Sequence, residues 1–515
     1  MSYVTVATTG GLLRGIDAAG AVSFLGVPYG DTTSGGNRFR PPQPAPLWTG
    51  VRDAFEFGPA APQLDARVGA APIAQEVLRL LYPRAGTPTE GGPVSEDCLR
   101  LNIWTPSAEE GRGRPVIVWL HGGAYQHGSG NEMAFNGDVL ASTQDIVVVT
   151  VTHRLGLLGF CALDEVAGES FAGSGVAGLL DIVEALRWVR ANIAGFGGDP
   201  DSVTICGQSG GGMKVAALMA MPAAAGLFHR AIMQSGPGLR IAESGEGSAI
   251  ARGVLAMCGL NDASAEQIRH VPLDRLLGVQ QEIIGYQMKE GMALDLLERP
   301  LPIGPTQHPA HLPGQLFAAG APEQSANIPL LIGSTAHEMA MMLAAMPGFA
   351  ELDDAQVAGL AEAAFPGRRG LIAQYRELFP DERPCLLWAR LLTDRTFRGG
   401  SYQVADAQAA AGAPVFVYLF DQTTSVLGGV LGSCHSLDLP YVFGTVDRIP
   451  MAGPDPDRDL ANLVMRTWGQ FSRAGSPAHD GLPGWPVWSE GKHAMALGPL
   501  CGTVDALECT PLLKH

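Results

Sequence analysis

Gly207-Gln208-Ser209-Gly210-Gly211 is the stretch in which residue type and spacing together point to covalent chemistry. It follows the apolar run Val203-Thr204-Ile205-Cys206 and leads into an Ala- and Met-rich run of helical character. A Gly-x-Ser-x-Gly at such a junction puts the serine on a sharp strand-to-helix turn. The hydroxyl is then held clear of the backbone, as a nucleophile for acyl transfer must be. Gly207 and Gly211 fit because the turn leaves no room for side chains beside the serine. Gly210, Gly211 and Gly212 make a poor helix start, each costing about 1 kcal/mol relative to Ala. A local rule broken in this way marks a functional site. A plain glycine turn would leave the same five letters, so the surrounding elements have to decide.

A second glycine turn, His121-Gly122-Gly123-Ala124-Tyr125, follows the apolar run Val116–Leu120. Such a turn can aim backbone N–H groups at one point, as an oxyanion hole requires. A simple turn or a phosphate cradle are the alternatives, but the Gly-x-x-x-x-Gly-Lys-Ser/Thr pattern is missing here. Val116–Leu120 and Ile146–Val151 are continuous apolar runs, predicted as central strands buried on both faces. Leu99, Leu101 and Ile103 alternate with polar residues, which predicts a strand with one wet face. Ile182, Ala185, Leu186 and Val189 recur at helical spacing before the Ser209 strand. Strand, helix, then strand with the serine at the second strand's carboxyl end is a doubly wound α/β layout. Further strands are expected at Ala231–Met233, Pro329–Gly333 and Val415–Phe420. Residues 1–50 read as hairpin strands followed by an extended Pro-rich segment. Residues 58–94 read as a lid-like loop with one short helix, and 240–325 and 340–410 as helical insertions. No linker divides the chain, so a single domain over residues 1–515 is expected.

Bulk properties bound the function. A length of 515 residues would usually mean about two to four domains, though one wide sheet with insertions also accommodates it. A net charge of −17 argues against nucleic acid or an anionic membrane as partner. Met1–Gly15 has neither the basic region nor the apolar core of a signal peptide. The uncharged run Val215–Phe228 contains no span long enough for a bilayer and is interrupted by Pro222. The eight cysteines are scattered without a Cys-x-x-Cys, which fits a reducing cytoplasm. His308 and His311 are expected to be solvated loop residues, since two histidines without a third ligand make a poor metal site. Met339, Met341, Met342 and Met346 suit either an adaptable apolar pocket or ordinary core packing.

Longer motifs identify a family. Phe196-Gly197-Gly198 through Gly207-Gln208-Ser209-Gly210-Gly211 resembles the nucleophile signature of type-B carboxylesterases. Glu96-Asp97-Cys98-Leu99 through Trp104-Thr105-Pro106 resembles their second signature, and the likeness extends over essentially the whole chain. The resemblance implies an α/β-hydrolase fold, with a large mostly parallel sheet and helices over the active site. It also implies ester hydrolysis through an acyl-enzyme without a cofactor or metal, with amide or carbamate hydrolysis or a non-catalytic binding role as alternatives. It makes Ser209 the nucleophile and, within Gly333–Glu338, Glu338 the acid. Within Gly432–His435 it makes His435 the base. Gly123, Ala124 and Gly210 match the oxyanion-hole positions. The expected partner is a small ester, and the expected assembly a monomer or small homo-oligomer. Four departures stand out: Gln208 replaces the usual Glu, Gly210 the usual Ala, Val176 the usual Asn of the Asn-x-Gly-Leu helix lead, and Met339 the usual Gly after the acid. Extracellular members pair the cysteine at the Cys98 position with an upstream one, and here that place holds Ala61.

Overall fold

Alternate residues of Arg114–Leu120 show why the chain layers as it does. Val116, Val118 and Leu120 pack into one apolar cluster, Ile117 and Trp119 into another, and every residue of the strand is buried. Successive side chains of a strand point to opposite faces, so a continuous apolar run demands cover on both sides. Each Val, Ile or Leu so buried contributes about 1.5–3 kcal/mol. The computed structural model describes residues 2–18, 20–65, 71–83, 93–289 and 299–514.

Among the described residues thirteen strands form one sheet. They are β1 (Ser2–Thr8), β2 (Gly11–Ala18), β3 (Ala21–Pro28), β4 (Val51–Asp53), β5 (Arg100–Thr105), β6 (Arg114–Leu120) and β7 (Val147–Thr152). There follow β8 (Gly198–Gln208), β9 (Arg230–Gln234), β10 (Leu330–Thr335), β11 (Val415–Phe420), β12 (His493–Leu497) and β13 (Gly502–Asp505). The order is β1-β2-β3-β5-β7-β6-β8-β9-β10-β11-β12-β13, with β4 against β2. Neighbours from β7 through β12 pair in parallel. The hairpins at the two margins are antiparallel. The carboxyl ends of β6, β8 and β10 therefore open on the same edge, where an α/β sheet gathers its functional groups.

The expected helix before the serine strand runs over Ala177–Asn192 and buries Ile182, Ala185, Leu186 and Val189. It also buries Asp181, which takes Arg154 in a two-pronged pair at 2.6 and 2.8 Å. Other helices among the described residues include Pro72–Leu81, Ser244–Met257, Leu273–Lys289, Pro384–Thr393 and Gly399–Ala410, whereas 299–322 is mostly turns and coil. Residues 66–70 and 84–92 of the anticipated lid, and 290–298 of the first insertion, lie outside the described residues. No helix among the described residues is long and apolar enough to cross a membrane.

One strand expectation is corrected. β5 has no wet face: Leu101 through Thr105 are all buried. Asn102 accepts from Gly26 N–H at 2.9 Å and donates to Gly130 O and Thr150 Oγ1. The polar residue of the alternation is satisfied internally, because loops close over that face, and a buried polar group with partners costs little.

All eight cysteines are unpaired thiols, five of them buried. Cys98 lies in the core, where burial pushes its thiol well above the ordinary value. Thiol counting in denaturant without reductant should find eight free groups; six or fewer in protein kept from air would contradict the pairing-free arrangement.

Candidate active site

The turn after β8 is strained in the way a nucleophile turn must be. Ser209 has φ 57° and ψ −123°, outside the regions an L-residue prefers, at a cost of about 1–3 kcal/mol. Tight packing holds it there. A Cβ on Gly207 would meet the Gly211 backbone at 2.4 Å, and one on Gly211 would meet Leu120 O at 2.0 Å. Ser209 N–H donates to Gln234 O at 2.8 Å. Ser209 stands at the N-cap of the helix Gly210–Ala220 but makes no side-chain cap bond, which leaves its hydroxyl for other partners. Ala124, Ser235 and Ser436 nearby in the fold also have positive φ, so strain concentrates around this site.

Glu338 lies just beyond β10 and His435 in the long segment after β11. Glu338 Oε2 and His435 Nδ1 are 2.5 Å apart, and Glu338 Oε1 accepts from Thr335 N–H at 2.6 Å. The carboxylate is fully buried and both its oxygens are occupied. A backbone clamp fixes the two segments together. His337 N–H donates to Ser433 O at 2.8 Å, and Ser433 N–H donates to His337 Nδ1 at 3.0 Å. His337 therefore points away from the site, held there by its isolated bridge to Cys434 and by the Ser433 N–H on its Nδ1, in a turn beyond β10. Its Nε2 meets Glu382, which Arg390 also grips. These two partners were not legible in the sequence, nor was Arg398, which donates to Thr335 O at 3.0 Å and pairs with Asp394.

Gln208, the replacement for the usual Glu, donates its side-chain N–H to His435 Nε2 at 3.2 Å. With Nδ1–H directed at Glu338, Nε2 carries the lone pair that accepts it. Among the described residues no hydrogen bond joins Ser209 Oγ to His435 in this arrangement. Catalytic contacts are often long before substrate binds.

Gly210 explains a second departure. A Cβ there would sit 2.2 Å from Ala124 O and 2.5 Å from Ala124 N, so alanine could enter only if the glycine turn moved. The N–H groups of Gly123 and Ala124 donate to no described group, and Gly210 opens its helix, where N–H groups lack intrahelical acceptors. All three residues line one cavity of about 320 Å³ with Ser209 and His435. Leu81, Phe135, Met213, Leu301 and Phe397 make its walls largely apolar. Met341 and Met342 also line it, whereas Met339 is buried in the core and Met346 is exposed.

One other sequence expectation changes, and the second carboxylate near His435 in sequence has partners of its own. Asp438 is no partner of His435: Gln234 Nε2 donates to its Oδ2 at 2.8 Å and Tyr418 donates at 3.3 Å. Burial, the largest influence, pushes its acid up to about 6. His308 and His311 are not simply solvated. Their rings stack at 4.5 Å and His308 Nε2 lies 3.2 Å from Asp164 Oδ2, because the loop folds back on the segment after β7. No cluster of three or more metal-binding side chains occurs among the described residues.

Residues 2–499 match the carboxylesterase family. The chain is 36% identical to phenmedipham hydrolase of Pseudarthrobacter oxydans, covering 93% of this chain and 92% of that protein. It is 32% identical to para-nitrobenzyl esterase of Bacillus subtilis strain 168, covering 95% and 94%. Among solved structures, an esterase of Clostridium hathewayi superposes with TM-score 0.83 at 32% identity, covering 100% and 98%. A Geobacillus stearothermophilus carboxylesterase superposes with TM-score 0.79 at 33% identity, covering 97% of each chain.

Proposed function

The chain belongs to the carboxylesterase family, with its α/β-hydrolase fold and its hydrolysis of carboxylic esters, and from that premise we propose that Ser209, His435 and Glu338 carry out the reaction. The observation that carries this reading is the 2.5 Å Glu338–His435 contact at the rim of the cavity that Ser209 lines.

The ester carbonyl sits over Ser209, with its oxygen toward the N–H groups of Gly123, Ala124 and Gly210. Oγ attacks the carbonyl carbon while its proton passes to His435 Nε2, from which the Gln208 amide withdraws. The imidazolium is stabilised by Glu338, which also holds the ring in the tautomer that leaves Nε2 free. The carbonyl π electrons move onto oxygen, where each N–H group is worth about 3 kcal/mol in the transition state. Collapse breaks the ester C–O bond, and His435 returns the proton to the departing alcohol. Water then attacks the acyl carbon and gives a proton to His435; the acyl C–Oγ bond breaks, His435 passes that proton to Oγ, and the acid leaves with Ser209 restored.

Carbamate hydrolysis is the second reading, favoured by the likeness to phenmedipham hydrolase, and it would use the same residues. A panel of p-nitrophenyl esters of increasing acyl length, set beside matched carbamates and anilides, tests both. Ester turnover should dominate; anilide turnover exceeding it would overturn the ester reading. We read the whole chain as one domain, which the continuous sheet supports, and as a cytoplasmic enzyme, which the unpaired thiols support.

A further inference from the structure

Lys214 is a fully buried amine that the mechanism above does not use. It lies in the helix that starts beside Ser209, on a turn facing back toward β6. Its Nζ donates to His121 O at 2.9 Å, the carbonyl at the start of the glycine turn. The same Nζ lies 5.9 Å from the centroid of the Tyr125 ring, at the end of that turn. The lysine thus holds both ends of His121–Tyr125, the segment that supplies Gly123 and Ala124. No carboxylate pairs with it among the described residues. A buried ammonium without a counter-charge is costly and is rarely kept for stability alone.

We propose that Lys214 is a positioning residue of the oxyanion hole: it clamps the glycine turn to the nucleophile's helix and places a cation behind the N–H groups. This rests on the assignment of Gly123, Ala124 and Gly210 made above. The cation is uncompensated until negative charge develops on the substrate oxygen. Its attraction is therefore gained chiefly in the transition state, where it accelerates the reaction rather than only tightening binding.

The other titratable groups around it are unable to substitute. His121 and His153 stack at 4.9 Å, and each directs Nδ1 at a backbone carbonyl. Burial, reinforced by Lys214, holds both far below the ordinary histidine value, so they are neutral. Tyr125 is held un-ionised by burial. Arg154 beyond His153 is neutralised by Asp181. Lys214 is thus the one uncompensated charge of this group, and burial brings it down to about 7. Its charge is present below that value and lost as pH rises through it.

The test compares Lys214→Met, which removes charge and hydrogen bond, with Lys214→Gln, which keeps a donor for His121 O without charge. Both are measured for kcat and KM on p-nitrophenyl acetate from about pH 5.5 to 9. The ratio of wild-type to Gln-variant kcat should be largest below neutrality and fall toward one as pH rises past it, because the His435 base is common to both. KM of the Gln variant should change less than about threefold, and kcat of the Met variant should lie lower still, by at least about 10-fold against wild type below neutrality. Trifluoromethyl-ketone inhibition, which mimics the anion, should weaken in parallel with kcat. Should Met not fold, the Gln variant still decides. A folded Gln variant with wild-type kcat at every pH would overturn the proposal. An active Ser209→Ala would instead overturn the assignment on which it rests.

Discussion

Ser209→Ala should fold as the wild type does and lose at least about 10³-fold in kcat on p-nitrophenyl esters. The side chain makes no cap bond to the helix it precedes, so removing its oxygen costs the helix nothing. Alanine keeps the Cβ and must adopt the same φ of 57°, a strain the serine already carries. What disappears is the atom that forms the acyl bond. The residual rate would come from the N–H groups and the apolar cavity, which still gather the ester and stabilise attack by water. An organophosphate should label wild type at Ser209 and leave the variant unlabelled. Near-normal turnover by pure, folded variant would remove Ser209 from the mechanism.

Glu338→Gln should lower kcat by about 10⁴-fold, with KM little changed. The glutamine would place either its oxygen or its NH2 opposite His435 Nδ1. Its Oε1 site already takes Thr335 N–H, so the NH2 is directed toward the ring. That turns Nδ1 into the acceptor and puts the proton on Nε2, where it blocks uptake from Ser209. The competing carboxylate gives the control. Asp438→Asn should keep kcat within about tenfold of wild type, because Asp438 bonds Gln234 and Tyr418 and not the imidazole. Its effect belongs to stability. The native Asp438 acid is raised to about 6 from 3.8, so the folded state holds its proton more tightly. That favourable contribution is complete below about 4 and is lost as pH rises through 6, whereas asparagine has no such dependence. Thermal melts should show wild type losing ground to Asp438→Asn across that interval. A dead Asp438→Asn beside an active Glu338→Gln would exchange the two assignments.

Lys214 illustrates a different kind of residue, one whose letter carries no signal. Within Gly212-Met213-Lys214-Val215 it looks like a solvated cation on a helix. Only the packing of that helix against β6 buries it and aims it at His121 O. Gln208 is similar. From sequence it is a departure from the usual Glu with an unknown consequence. In the fold it becomes the donor that occupies His435 Nε2 at rest.

What the sequence determined by itself was whatever depends on neighbours along the chain. The apolar runs of β6, β7 and β8 set a sheet buried on both faces, since local period and composition decide strand burial. The glycines around Ser209 marked a turn too tight for side chains, and the motifs carried the family. β5 shows where this reading ends. Its alternation of apolar and polar residues is compatible with water or with a satisfied buried amide, and only Gly26, Gly130 and Thr150, brought from three other segments, decided for the amide. The meeting of Glu338 with His435, 97 residues apart, and of Gln208 with His435, 227 apart, also belongs to tertiary structure alone. Hydrogen bonds reach about 3 Å. Whether two side chains so distant in sequence fall within that reach depends on which strands lie side by side and where each one ends. Periodicity and composition report which face a residue presents, and carry no information on the partner that the fold places opposite it.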